Sequence, residues 1–225
     1  MIYILLAIII AYFSFDYYVF KNSNYHEETN INYLRMRFDK GNYGEYLIFN
    51  KLKKVDGYSR VLLNVYIPKD NGDNTELDLI FVHEKGIYVV ESKNYSGWIY
   101  GDEKSLKWTQ TFQNGKKFKF YNPIKQNKTH IKHLEENLKE IYSHNYFSLI
   151  VFSERCRLKK IKYVSDHLKV LNRNNINRFL KTYQKEKFIL LTEDEVDYIY
   201  NHLSKYTKVT DAVKQEHINK INKIK

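Results

Sequence analysis

Two apolar runs, TELDLIFV (Thr75–Val82) and IYVVESK (Ile87–Lys93), carry Asp78, Glu91 and Lys93 among residues suited to buried strands. Charges in such a setting are costly unless they are paired or bind a metal. Pairing the runs as a hairpin, with His83–Gly86 as the loop, sets Val82 opposite Ile87 and Asp78 opposite Glu91. Cross-strand neighbours have Cβ atoms about 4.5–5.5 Å apart. Two carboxylates that close repel unless one holds a proton or a cation lies between them. The period of two puts Lys93 on the face of Glu91, and the same register sets Glu76 opposite Lys93. Hard oxygen ligands with room for water suit Mg²⁺ or Mn²⁺. Such an ion polarises a phosphoryl oxygen and acidifies a bound water, and a lysine beside it can position that water or stabilise charge on the phosphate. Those are the requirements for phosphodiester hydrolysis. The competing reading leaves Asp78 and Glu91 in solvent at strand ends and pairs Lys93 with Glu76, a surface contact of small worth.

The elements that must position these residues are legible on either side. Gly41–Val55 has helical spacing, with Leu47, Ile48, Leu52 and Val55 apolar. Tyr58–Pro68 reads as a strand closed by the turn-rich KDNGDN. Trp108–Tyr121 reads as a hairpin about Asn114-Gly115, the favoured pair for a two-residue type I′ turn. Asn122 can cap a following helix and Pro123 suits its first position, with Ile124, Ile131, Leu134, Leu138 and Ile141 as its apolar stripe. Tyr146–Ser153 is another buried strand. Beyond it, helices are expected near Asn174–Tyr183 and after Thr192, where Thr192 and Glu195 form a capping-box pattern, and the basic tail is compatible with a helix. This order predicts an α/β or α+β domain with a mixed central sheet flanked by helices.

The chain opens MIYILLAIIIAYFSFDYYVFK, apolar from Ile2 to Phe15, with Asp16 the single charged side chain before Lys21. That length just suffices for a membrane-spanning helix, and Tyr17 and Tyr18 suit an interfacial belt. A signal peptide would want basic residues ahead of the apolar run and a small-residue cleavage site, and neither is present. Lys21, Arg35, Arg37 and Lys40 all follow the run, which places the C-terminal domain in the cytoplasm by the positive-inside rule. The expected organisation is a single-pass anchor over 1–20, a polar linker over 21–40, a compact domain over 41–155 and a mainly helical region over 156–225. The one cysteine, Cys156, excludes a disulfide framework and a cysteine zinc site. The net charge of +11 favours a polyanionic partner, nucleic acid or an anionic membrane surface.

The spacing Asp78-x12-Glu91-Ser92-Lys93 resembles the D…(D/E)xK motif of the PD-(D/E)XK nuclease superfamily. The wider pattern resembles the nuclease-related domain (NERD) family: Gly44-Glu45 in a first helix, TELDLIFV, GIYVVESKNYSGWIYG, Trp108, and NPIKQ with Asn122, Pro123 and Gln126. It covers about residues 41–153, and departs from the superfamily pattern at Leu77, where a proline often precedes the aspartate. The resemblance implies a restriction-endonuclease-like fold and a metal-dependent nuclease acting on DNA. It implies that Asp78 and Glu91 hold Mg²⁺ or Mn²⁺, that Glu91 aligns the attacking water, and that Lys93 activates the water or stabilises the phosphorane. It also implies Glu45 as an additional acid and Gln126 as a residue orienting substrate or lysine. A catalytically inactive module binding nucleic acid or a protein partner at the membrane is the alternative. Basic and aromatic residues interleave from Lys104 to Lys132, and Lys107, Lys116, Lys117, Lys119, Lys125 and Lys128 are the expected phosphate contacts, with the aromatics packed inward. His130 and His133 follow Gln126 on one helix face and are expected at the surface.

Overall fold

The β-branched and aromatic runs pair into two mixed sheets, and the amphipathic segments cover them. The computed structural model describes residues 1–69, 72–139, 141–142, 146–185, 187–207 and 209. The basic tail therefore lies largely outside the described residues, as do Asp70 and Asn71 of the KDNGDN turn. The central sheet has the order β1-β2-β3-β7-β9, comprising β1 (Ser59–Pro68), β2 (Asn74–His83), β3 (Gly86–Lys93), β7 (Tyr146–Phe152) and β9 (Leu168–Asn172). β1, β2 and β3 are antiparallel, whereas β3, β7 and β9 are parallel. The second sheet has the order β6-β5-β4-β8, from β4 (Gly97–Asp102), β5 (Lys107–Thr111), β6 (Lys117–Tyr121) and β8 (Cys156–Lys162).

Strand alternation separates two cores. Val61, Leu63, Leu79, Phe81, Tyr88 and Val90 pack towards α4 (Lys40–Leu52) and α6 (Ile176–Lys185). Leu62, Ile80, Val82, Ile87 and Val89 pack towards α5 (Pro123–Leu138) and α7 (Glu193–Ser204). Parity then sends Glu91 and Lys93 to the α5 face, whereas the alternation of β2 breaks at Asp78, with Leu77 in the α5-side core and Leu79 in the α4-side core. Asn122 caps α5 as expected: its Oδ1 accepts from Ile124 N–H, and its Nδ2 donates to the carbonyls of Asp102, Glu103 and Ser105. The start of α5 is thereby fastened to the β4–β5 connection. The capping box of Thr192 and Glu195 is formed at the start of α7.

Three expectations are corrected. The Asn114-Gly115 turn is not type I′, because only Gly115 has positive φ (+79°). Gly115 N–H donates to Phe112 O and Phe112 N–H to Lys116 O, the pattern of a type I turn completed by a left-handed glycine. Residues 21–40 are more than a linker. They form α2 (Tyr25–Thr29) and α3 (Tyr33–Phe38), and Tyr25, Ile31 and Met36 enter the core with Phe20 of α1 (Ile2–Lys21). Residues 156–225 are helical over α6 and α7, but β8 and β9 precede them. β8 escapes a period-two reading because Lys159 is an extra residue: Ile99 faces Leu158 and Tyr100 faces Lys160, so the inward positions shift phase.

Between the sheets, Trp108 is fully buried, stacks on Phe152 at 6.1 Å and donates Nε1–H to Asp102 O at 3.1 Å. Its ring lies over Gly101, where a Cβ would stand 2.1 Å from Trp108 Cδ2. Gly101→Ala is expected to destabilise the fold by about 1–3 kcal/mol or more through overpacking. Thermal unfolding of the variant in detergent micelles, followed by near-ultraviolet circular dichroism, checks it; an unchanged midpoint would contradict the packing described.

Candidate active site

The β2–β3 hairpin has the expected register, with Val82 facing Ile87, but it closes through a two-residue turn in which His83 pairs with Gly86. The ladder runs only to Leu79–Val90. Beyond it Asp78 Oδ2 accepts from Ser92 N–H at 2.7 Å, so the aspartate side chain takes over where the strands separate. On its other side the β1–β2 ladder joins Leu63 to Leu79 and Val65 to Leu77 and skips Asn64 and Asp78 between them. Asn64 has φ +52°, a left-handed conformation unusual in a strand. Asp78 thus stands at a break in both ladders, the kind of local strain that clusters at functional sites.

Glu91 and Lys93 project from β3 on one face. Glu91 is 1% exposed, and its Oε1 accepts from Lys93 Nζ at 2.5 Å. Lys93 Nζ also donates to Gln126 Oε1 at 3.1 Å, so the first turns of α5 hold the lysine in place. The register that would set Glu76 opposite Lys93 is not reached, because the ladder ends at Leu79–Val90. Glu76 lies opposite Tyr66 of β1, whose hydroxyl donates to Glu76 Oε1 at 2.6 Å. His130 is buried rather than superficial. Its Nε2 lies 3.4 Å from Glu91 Oε2, an ion-pair separation, and its Nδ1 lies 2.7 Å from Thr75 Oγ1. His133, by contrast, is paired with Glu136 on the outer side of the helix. Asn127, fully buried one turn before His130, donates to Val89 O and Ser148 Oγ. A signal for both was available: Asn127 and His130 fall on the stripe of Ile124, Leu134 and Leu138, so polar residues there had to be buried.

Glu45 joins from α4. The helix comes close to β3 because residue 44 is glycine: a Cβ there would meet Asn94 Cβ at 3.2 Å and Ser92 Oγ at 3.3 Å. Glu45 Oε2 is buried without a hydrogen-bond partner. Burial first, then the charges of Glu76, Asp39 and Glu91, push the Glu45 carboxyl up to about 8, with Lys93 opposing. Asp78 is raised well above the usual carboxylate range, by burial and then by Glu91 and Glu45, against Lys93 and the Ser92 amide. Burial alone would raise Glu91 as well, but Lys93 and then His130 outweigh it and hold Glu91 low. Burial would lower the Lys93 ammonium, yet Glu91 and Asp78 prevail and raise it. Lys93 is therefore held protonated, suited to donating hydrogen bonds and not to accepting a proton.

The donor chemistry fits a hard divalent cation. Among the described residues no group of three or more His, Cys, Asp and Glu side chains forms a ready-made metal cage. Mg²⁺ needs none, since it keeps several waters and is commonly bound by one or two carboxylates. Glu91 Oε2 is buried without a hydrogen bond, and Asp78 and Glu45 are carboxyls whose ionisation burial and neighbouring acids oppose and a cation would favour. The expected phosphate-contacting lysines are divided between two elements. Lys107, Lys117 and Lys119 share one face of the β5–β6 hairpin, opposite Trp108 and Phe120, and Lys116 lies in its loop. Lys125 and Lys128 are on α5. Arg155, which the sequence reading did not single out, donates to the Asn94 carbonyl and Oδ1 beside Lys93, and with Trp98 and Arg157 it lines a cleft of about 590 Å³.

Comparison with known proteins follows this geometry. Residues 40–153 match the family model described as nuclease-related domain, NERD. An uncharacterized protein of Bacillus anthracis is 36% identical over 180 residues, spanning 80% of this chain and 82% of that protein. No solved structure matches the chain.

The electrostatics carry a test. A carboxyl raised from about 4.5 to about 8 keeps a proton that the unfolded chain has released, so stability falls as pH rises through that window. Glu45→Gln removes this dependence. Parent and variant are expected to melt alike near pH 4, and the variant several degrees higher near pH 9, about 1–2 kcal/mol after allowance for solvent. Equal melting at both pH values would contradict the raised carboxyl.

Proposed function

The chain belongs to the nuclease-related domain family, and on that premise we propose that it is a membrane-anchored, metal-dependent nuclease hydrolysing phosphodiester bonds of DNA on the cytoplasmic side. The observation that carries the reading is the convergence of Asp78, Glu91, Glu45 and a protonated Lys93 at the end of one strand pair. Asp78 and Glu91 would hold Mg²⁺ or Mn²⁺, which when bound supplies Lewis-acid polarisation of the phosphate and an acidified water. Glu91 is kept ionised for that role by Lys93 and His130. Lys93, oriented by Gln126, donates to the phosphate oxygens as charge grows on them. Lys93 is not the proton acceptor in this scheme, because its neighbours hold it charged. Glu45 is the acidic neighbour whose carboxyl burial and the surrounding acids push up to about 8.

Two further features support the setting. α1 is long and apolar enough to cross a bilayer, with none of its most apolar window buried against the protein. The basic residues after it favour a cytoplasmic domain. The net charge of +11 and the lysine face of the β5–β6 hairpin suit a nucleic-acid backbone.

The deciding experiment is nicking of supercoiled plasmid by the full-length chain in detergent micelles, with Mg²⁺, Mn²⁺ or EDTA. Asp78→Asn removes a carboxyl that burial already disfavours and keeps an acceptor for Ser92 N–H. It is expected to lose nicking while melting at or above the parent. Lys93→Ala strands the buried Glu91 charge and is expected to cost about 3–5 kcal/mol as well as activity. Mg²⁺ should raise the parent's melting point near pH 8 and leave that of Asp78→Asn unmoved. Metal-dependent nicking that survives in Asp78→Asn would overturn the assignment. Plasmid binding without cleavage in the parent would favour a non-catalytic nucleic-acid-binding module.

A further inference from the structure

The short helix α3 has an apolar edge that the fold leaves open. Leu34 and Phe38, one turn apart, are 64% and 71% exposed, while Met36 between them is fully buried. Its other edge is fixed against α1. The Tyr33 hydroxyl donates to Asp16 Oδ2 at 2.8 Å, and the Tyr33 ring meets Tyr17 edge-on at 5.3 Å. Arg37 Nε lies 3.2 Å from Asp16 Oδ2, and Arg37 also donates to the Tyr12 hydroxyl at 3.4 Å.

These contacts set a direction. Tyr33 meets α1 near Asp16, Tyr17 and Phe20, and Arg37 meets it one turn earlier, near Tyr12. The helices are antiparallel, so Phe38, next to Arg37, is held at the level of the apolar stretch of α1. Arg35 and Lys40 stand exposed beside the apolar pair. An apolar edge flanked by these two cations at this depth, with the exposed Asp39 between Phe38 and Lys40 committed to capping α4 through Asn42 N–H, has the chemistry of an interfacial anchor on an anionic leaflet.

We propose that α3 is a membrane-docking helix. Leu34 and Phe38 enter the headgroup and upper acyl region of an anionic bilayer, and Arg35 and Lys40 lie against lipid phosphates. The inference rests on the proposed crossing of the membrane by α1, because it is α1 that brings the bilayer surface to this level. The consequence reaches the candidate active site. α3 leads through Asp39, the N-cap of α4, into the helix that carries Glu45. Asn94, next to Lys93, donates its side-chain amide to the Lys40 carbonyl. Docking of α3 therefore holds the site beside the bilayer, so that nucleic acid reaches it along the membrane surface.

Nitroxide accessibility tests this on the full-length chain in phosphatidylcholine–phosphatidylglycerol vesicles. Labels are placed one at a time through Ile8→Cys, Leu34→Cys, Phe38→Cys and Phe188→Cys. Cys156 is 3% exposed and stays in place, whereas Phe188 is 86% exposed in the segment beside the β2–β3 turn, far from Lys93. Collision with oxygen is compared with collision with a water-soluble nickel chelate. The expected result is oxygen-dominated relaxation at 8, 34 and 38 and nickel-dominated relaxation at 188. A lipid-embedded 8 with 34 and 38 as aqueous as 188 would overturn the docking and leave the span intact. An aqueous 8 would remove both. Spin–spin broadening at 38 that unlabelled chain dilutes away would overturn the proposal in favour of a second copy covering this edge.

Discussion

The Glu91–Lys93 ion pair is the constraint around which the rest is arranged. A carboxylate 1% exposed is tolerable only with a charge partner in contact, and Lys93 Nζ at 2.5 Å supplies it. The partner is on the same strand two residues on, so strand pleating alone brings it to the right face. What the strand cannot supply is orientation, and α5 does so through Gln126 on the lysine and His130 on the second carboxylate oxygen. The start of α5 is in turn fixed by Asn122, which grips the connection running from Gly101 and Asp102 towards Trp108. The second sheet thus serves the site by holding one end of a helix.

The site holds more carboxyl groups than the one lysine can neutralise as carboxylates. Asp78 and Glu45 both feel the charge of Glu91, and burial denies them water, so their protons are held more tightly than in solution. A fold selected for stability alone would place apolar side chains there. The β1–β2 and β2–β3 ladders both lapse at Asp78, and Asn64 takes a left-handed conformation beside it. Local backbone pairing is given up where the carboxylate is needed. An uncompensated cluster of this kind makes physical sense when a cation and a phosphate complete it, which is the reading the family membership supports.

The strands and caps that frame the site were legible because each rests on a local rule. Val82 opposite Ile87 follows from alternation, the start of α5 from Asn122-Pro123, and the start of α7 from Thr192 and Glu195. Long-range pairing was not legible. Nothing near Glu76 marks Tyr66 as its partner, because that contact depends on the β1–β2 register across an intervening turn. β8 was hidden by its bulge, and α2 and α3 by a polar sequence that nonetheless buries Tyr25, Ile31 and Met36. His130 was misplaced because a helix stripe was counted by its apolar members alone. Asn127 and His130 complete it, one bridging Val89 to Ser148 and the other joining Thr75 to Glu91.

The same reasoning applies to Asp16. A single acid near the end of an apolar helix is expensive in a low-dielectric setting, and Arg37 and Tyr33 both answer it. Because those two residues belong to α3, Asp16 has these partners only while α3 is folded against α1. Phe20 adds a second tie, entering the core with Tyr25 and Tyr46. α1 is therefore joined to the domain at a fixed angle and is not a freely jointed tether. A membrane crossed by such a helix would set the orientation of α4 and Glu45 as well as the distance, so placement in the bilayer and access to the site become one structural question.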